Sequence, residues 1–479
     1  MDREEVLRKI FAQGVFSKFN NPILDLEQVN GVLDDLVSQG KIQEENPIGK
    51  TECGFPIKHF SLGEGDIEIP IIAGMHGNEI GSVDMILRTM EYLSGPSNTT
   101  IDLQKYKFHF IPVVNPEGYV TVTSALKKLI PDDMSAEDTE KICKAYYTAF
   151  RNDDIAANKR NKEGNINRDP NFRGEHNMFS FTMDDENVIS TPEKVYESIP
   201  RERGSEYEKL YQSLKSLNDK YPENFNWRVW DFKANGEGLD LQNATKLFEG
   251  TQALRNGNTE PNYYDDTRFS NIDRSKPAPL GNGMNTEKGF KVPNETKALV
   301  GFLDSVSNLS AIFNLCSTGG RTFSLPTEPN GKIAIDSQKR KQIEVENRAI
   351  ARAFEEGSTI DEECMKEAGY KTVEWQINKK LTSLNELLTL TFPNVLLIEL
   401  FKMGGNPIGE YGDFEGSYKK TIRQITGGLT RAIEVVPLIS SFRKRAEKMR
   451  NNRNNFEPRM SRYDTGRIPQ TGKGPDLDR

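Results

Sequence analysis

"IEIPIIAGMHGNEIGS", residues 67–82, holds a strand signal, a loop and a helix start in one short stretch. The apolar run Ile67–Ile72 has the length and bounding glycine of a buried strand. After it, "EIGSVDMILRTMEYL" sets Ile80, Val83, Ile86, Leu87 and Met90 on one helical face. The loop between them carries His76 and Glu79, three positions apart, a spacing that suits two donors to one metal ion. A catalytic zinc of this kind needs a third protein ligand from elsewhere in the chain.

Further strand signals lie in "FHFIPVVNPEGY" (108–119), which runs into a Pro-Gly turn, in "LSAIFNLCS" (309–317) and in "PNVLLIELF" (393–401). Helical stretches separate them, including "DLEQVNGVLDDLVSQG" (25–40) and "KRKQIEVENRAIARAFEEG" (339–357). Apolar strands alternating with amphipathic helices predict an α/β fold, with a mixed, mostly parallel sheet and helices on both faces. In such sheets ligands collect at the carboxyl edge of the strands. His76 and Glu79, Asn115–Tyr119, Cys316 and Glu399 all fall at such ends.

The chain of 479 residues is 35% hydrophobic and 28% charged, which suits a large globular core rather than overall disorder. Its net charge of −8 is uneven. Residues 441–479 carry 11 Lys/Arg against 5 Asp/Glu, leaving 52 against 66 for the rest. The opening "MDREEVLRKIF" lacks a signal-peptide core, and no apolar run is long enough to cross a membrane. Four dispersed cysteines without a CxxC pair point to neither a disulfide framework nor a cysteine-only zinc site. The expectation is a cytoplasmic protein in a reducing compartment, with no membrane partner. Carriage in a virus particle is the second location considered.

The expected organisation has an N-terminal helical segment (1–45) packed on a main domain (46–440). An Asn-, Asp-, Glu- and Gly-rich insertion spans about 173–285, and a basic, extended tail covers 441–479. The tail reads as a solvated end or as a docking arm for an acidic protein partner. Nucleic acid is disfavoured, because no binding module accompanies the charge.

Five stretches, in order, resemble the zinc metallocarboxypeptidase family with its carboxypeptidase A-like fold: the run into "GMHGNEIGS", then "VVNPEGY", "GNINRDPNF", "VPNETKALVGFL" and "LLIELF". The resemblance covers about 46–435 apart from the insertion. It implies a hydrolase that removes the C-terminal residue of a peptide. His76 and Glu79 would be metal ligands and Glu399 the general base. Arg160 would serve the oxyanion, with Lys159 a neighbouring candidate, and Asn167 with Arg168 would hold the substrate's terminal carboxylate.

Two positions depart from the family pattern. The third-ligand strand reads Asn314-Leu315-Cys316-Ser317, so Cys316 stands where the family has histidine. Asn165 stands where an aspartate orients the first zinc histidine, a partner that sets ligand tautomer and basicity. Thiolate is a competent zinc ligand, but His, Glu⁻ and Cys⁻ leave a formally neutral site where His, Glu⁻ and His leave +1. A neutral site polarises a carbonyl less. The readings open at this point are a zinc site using Cys316, a site with some other third group (His176 being the weak substitute), and a metal-free cleft in which Cys316 is a small buried residue. The first points to a zinc peptidase and the last to a catalytically impaired relative used for binding or assembly. A third class, the N-acyl-amino-acid hydrolases, shares the HxxE and Asn-Arg elements. His59 and His109 read as ordinary core or surface histidines.

Overall fold

The computed structural model describes residues 23–96, 98, 100–135, 137–139, 141–142, 196–220, 232, 234–239, 241, 293–316, 321–323, 337–359, 372–373, 388, 394–400 and 419–456. Its first helix, α1 (Leu26–Ser38), begins in a capping box in which the Asp25 carboxylate and the Gln28 side chain serve each other's backbone N–H groups. Gly40 follows at φ 64°, a left-handed stop that other residues resist. Val29, Val32, Leu33 and Leu36 form its buried face.

Short strands β1 (Gln43–Glu44), β2 (Gly49–Lys50), β3 (Pro56–Ile57) and β4 (Phe60–Leu62) lead into β5 (Ile67–Ile72). Then come α2 (Ile80–Ser94), β6 (Tyr106–Ile111) and α3 (Pro116–Leu129). After α4 (Ser205–Lys220) and α5 (Asn294–Ser305) follow β7 (Ile312–Cys316), β8 (Arg321–Phe323), α6 (Ser337–Ser358), β9 (Thr372–Val373), β10 (Val395–Glu399) and α7 (Lys419–Phe456).

Eight strands make one sheet in the order β1-β4-β6-β5-β7-β10-β8-β9, while β2 and β3 pair separately. The centre, β6-β5-β7-β10, is parallel throughout. The β1-β4, β4-β6 and β10-β8 pairs are antiparallel, and β8-β9 is parallel. The expected mixed, mostly parallel sheet is present. Every residue of β7 is buried, as is β5 from Ile69 to Ile72, so both faces of the sheet centre are covered. Ile72, Ile111, Val114, Leu299, Leu303, Ile312 and Val395 meet in one cluster between sheet and helices.

One local expectation is corrected. Asn115-Pro116-Glu117-Gly118 does not form a turn but opens α3: Asn115 is the N-cap, accepting from the Gly118 N–H at 2.9 Å, and proline takes the first helical position. Of the expected insertion, the described part includes the regular helix α4. The chain divides into two units, Met1–Val436 and Pro437–Arg479, and α7 runs across that division to Phe456, past the position 441 expected to begin an extended tail. Among the described residues no helix is long and apolar enough to cross a membrane.

Candidate active site

Parallel register sets the frame of the site. Ile72 of β5 pairs with Asn314 of β7, and Cys316 of β7 pairs with Glu399 of β10. Strands β5, β7 and β10 therefore end side by side at one sheet edge, where the loop after β5 carries His76 and Glu79.

That loop is held from several directions. Gly74 turns the chain at φ 61°, and its N–H donates to Ser82 Oγ at 3.1 Å. The Ser82 hydroxyl in turn donates to the Glu79 carbonyl at 2.7 Å. The Asn115 N–H donates to the Gly74 carbonyl at 2.9 Å, and its side-chain amide reaches the carbonyls of Met75 at 3.4 Å and Ala234 at 3.1 Å. Gly77 lies against the backbone of Gly118, where a Cβ would stand 2.4 Å from the carbonyl carbon. Only glycine permits that approach.

Glu79 is the N-cap residue of α2, yet its carboxylate makes no capping hydrogen bond. It is turned to His76 instead, with Oε1 2.7 Å from Nδ1. Both side chains are buried, at 5% exposure for His76 and 1% for Glu79. Asn78, between them, is 1% exposed, and neither its Oδ1 nor its Nδ2 has a hydrogen-bond partner. Burying an unpaired amide costs about 1–3 kcal/mol. Such a cost is tolerated where the group serves a ligand.

Cys316 ends β7 at 1% exposure, and its carbonyl accepts from the Leu400 N–H at 2.8 Å. Glu399 ends β10; its side chain lies outside the described residues, as do Arg160, Asn165, Asn167, Arg168 and His176. Expectations for those side chains stand as expectations. Of the residues expected to hold metal, His76 and Glu79 lie together. His76 and Glu79 are a converged imidazole–carboxylate pair of the type zinc accepts. Among the described residues, no group of three His, Cys, Asp or Glu side chains is close enough together to hold an ion. Two donors fit, and the third is not gathered with them.

Beneath the loop lies a buried acidic layer that the sequence did not announce. Glu117 of α3 accepts from the N–H groups of Cys53 and Gly236, each at 2.7 Å. Asn235 folds its own segment by accepting from the N–H groups of Glu237 and Leu239, each at 3.0 Å. Its amide donates to Glu295 of α5 at 3.3 Å. Burial, then the neighbouring charge of Glu117, pushes the Glu295 carboxyl up to about 8. Burial, reinforced by Glu117, also pushes the Cys53 thiol up. In the sequence Glu295 is one residue of "VPNETKALVGFL", with no mark of its burial. Single-sequence patterning carries no signal for a buried carboxylate pair. A cavity lies elsewhere, between α1 and β3, lined by Leu26, Val29, Phe55, Pro116 and Tyr207 among others.

The sequence model of the zinc carboxypeptidase family matches residues 31–199. Among solved structures, thrombin-activatable fibrinolysis inhibitor is 9% identical, with 91% of this chain and 82% of that one covered, at a TM-score of 0.44. Carboxypeptidase A from Helicoverpa armigera is 12% identical, with 90% and 80% covered, at a TM-score of 0.43. The matched stretch contains His76 and Glu79 and stops short of Cys316 and Glu399. Over residues 31–199, about a third of its length, this chain is similar to the zinc carboxypeptidase family.

Proposed function

We propose that the chain is a zinc carboxypeptidase-like hydrolase that removes the C-terminal residue of a peptide. The observation that supports this reading is the convergence of three parallel strand ends at one sheet edge, with Cys316 paired to the terminus of β10 and the paired His76 and Glu79 in the loop that follows β5. His76 and Glu79 would hold the metal with the Cys316 thiolate as third ligand, a donor that binds zinc at about 2.3 Å. Bound zinc would supply positive charge that polarises the scissile carbonyl. Glu399 would take the proton of the attacking water and deliver it to the departing amine as the peptide bond breaks. Arg160 would hold the developing oxyanion, and Asn167 with Arg168 the terminal carboxylate. Asn78, buried with an unsatisfied amide beside the donor pair, has the polarity to meet a peptide group.

The deciding experiment measures zinc per chain in protein purified without chelators, with Cys316→Ala in parallel, alongside hydrolysis of unmodified peptides and of N-acyl amino acids. Near one zinc in the parent, little in the variant, and release of C-terminal residues would support the peptidase. Glu399→Gln should then lower turnover by about 10²–10⁴-fold without changing zinc content. Hydrolysis of N-acyl amino acids alone would move the chain to that class. No zinc and no turnover would favour the second reading, a carboxypeptidase fold kept for binding or assembly. The replacement of the third histidine by Cys316 favours that reading. In it the basic segment 441–479 would dock on an acidic protein partner, in the cytoplasm or in a virus particle.

A further inference from the structure

The turn over residues 234–239 belongs to the stretch read from sequence as an insertion, yet it is joined to the loop of His76 and Glu79. The Asn115 side-chain amide donates to the Ala234 carbonyl at 3.1 Å and also reaches the Met75 carbonyl, next to His76, at 3.4 Å. Gly118 is closed in from both sides. A Cβ on Gly118 would stand 2.4 Å from the Ala234 carbonyl oxygen, and a Cβ on Gly77 would stand 2.4 Å from the Gly118 carbonyl carbon. The turn, the start of α3 and the His76–Glu79 loop are thus three layers in backbone contact, and a shift in one is passed to the next.

Three helices grip the turn. Glu117 Oε2 of α3 accepts from the Gly236 N–H at 2.7 Å, and Ser213 of α4 donates to the Gly236 carbonyl at 2.6 Å. Asn235 is fully buried; its Oδ1 closes the turn on the Glu237 and Leu239 N–H groups, each at 3.0 Å. Its amide lies 3.3 Å from Oε1 and 3.4 Å from Oε2 of Glu295 in α5. Asn235 and Gly236 are consecutive, so the two buried carboxylates that hold them meet on one turn. Facing Glu295 are Glu117 from α3 and Glu237 from the turn itself, and Cys53 lies against Glu117, its N–H donating to Oε1 at 2.7 Å. A second charge in this buried site is costly, and burial followed by the charge of Glu117 raises the Glu295 carboxyl to about 8.

We propose that Asn235 is a positioning residue for the candidate site: its turn, clamped by Glu117 and Glu295, seats the His76–Glu79 loop, and loss of the Glu295 proton loosens that seat. The role in metal binding rests on the reading of this loop as the metal-holding half of the site. Seated, Glu295 keeps its proton up to about pH 8; released to solvent, it loses it near 4.5. The seat therefore weakens as pH rises between these values, by at most about ten-fold per pH unit. The test is hydrogen–deuterium exchange of the full chain across that window, on the parent, Asn235→Ala and Glu295→Gln. The Gly74, Glu79 and Ser82 N–H groups, each hydrogen-bonded within the loop, are the reporters. In the parent their protection factors should fall about ten-fold or more relative to those of β7. In Glu295→Gln, whose side chain stays neutral and still accepts from Asn235, they should stay level. Asn235→Ala should lower loop protection about ten-fold already at the acid end, and more than it lowers that of β7. Equal pH dependence in the parent and Glu295→Gln would overturn the proposal, as would parental loop protection in folded Asn235→Ala. If Asn235→Ala does not fold, the Glu295→Gln comparison decides. Zinc uptake, measured in parallel, tests the metal reading by itself: pH-linked loop protection without zinc uptake upholds the clamp and removes only its role in metal binding.

Discussion

The two halves of the candidate site are built differently. On the β5 side, the loop bearing His76 and Glu79 is fixed by backbone and side-chain hydrogen bonds from Ser82 and Asn115 and by glycine-to-glycine contact with α3. On the β7–β10 side, strand register brings Cys316 beside Glu399. The first half holds a converged imidazole–carboxylate pair, and the second sets a cysteine beside a glutamate at two strand ends. Backbone placement and donor chemistry are thus separable. A strand end can hold its position through ladder hydrogen bonds while a single side chain alters what the site can do.

The sharpest way to break this contrast is Gly77→Ala. The added Cβ would meet the Gly118 backbone at 2.4 Å, where neither segment can yield without shifting the loop. A stability loss of about 3 kcal/mol is expected by chemical denaturation, together with loss of any metal held by His76. A loss below about 0.5 kcal/mol would mean that the loop is not seated as described.

Glu117→Gln attacks the layer below. The Cys53 and Gly236 N–H groups donate to different oxygens of the carboxylate, and in glutamine one of those positions becomes an NH₂ donor that faces an N–H. The expected cost is about 2 kcal/mol in denaturant unfolding. An unchanged midpoint would remove Glu117 as the support of the loop.

Glu295→Gln gives a smaller effect with a defined pH signature. The folded carboxyl is raised to about 8 from an ordinary value near 4.5, so the native state binds the extra proton between them. Its stabilising contribution is full below about 4.5 and is lost as pH rises through 8. The parent's melting temperature should therefore fall across that window more steeply than that of the glutamine variant, which can still accept from Asn235. Parallel curves would show that Glu295 does not titrate in this range.

Tyr119→Phe is the mildest probe. The hydroxyl donates to the Leu24 carbonyl at 2.7 Å and joins α3 to the segment before α1. Its removal should cost about 1 kcal/mol and leave metal content unchanged. A change in metal content would extend the seated half of the site as far as the N-terminal segment.

Much of the fold was legible because continuous apolar runs have few alternatives. Ile67–Ile72, Ile312–Cys316 and Val395–Glu399 are central strands, as their composition implied, with Ile69–Ile72, Ile312–Cys316 and Val395–Ile398 buried, and Ile80–Ser94 is the helix its spacing predicted. The edge elements were not legible. Strands of two or three residues, such as Thr372–Val373, have no periodicity of their own and exist only through their neighbours. The "NPEG" stretch reads locally as a turn. Asn115 as cap and proline at the first position make it a helix start once α3 has a sheet to pack on.

The sequence by itself determined the HxxE spacing, the cysteine that ends one strand signal and the central strands, because these follow from residue identity and short-range pattern. Tertiary structure decided which groups meet. Cys316 pairs with Glu399 across 83 positions by parallel register, Glu117 gathers the Cys53 and Gly236 N–H groups, and two histidines that looked ordinary face each other at 3.1 Å. These meetings depend on long-range strand pairing and burial, which bring together residues that no local pattern relates.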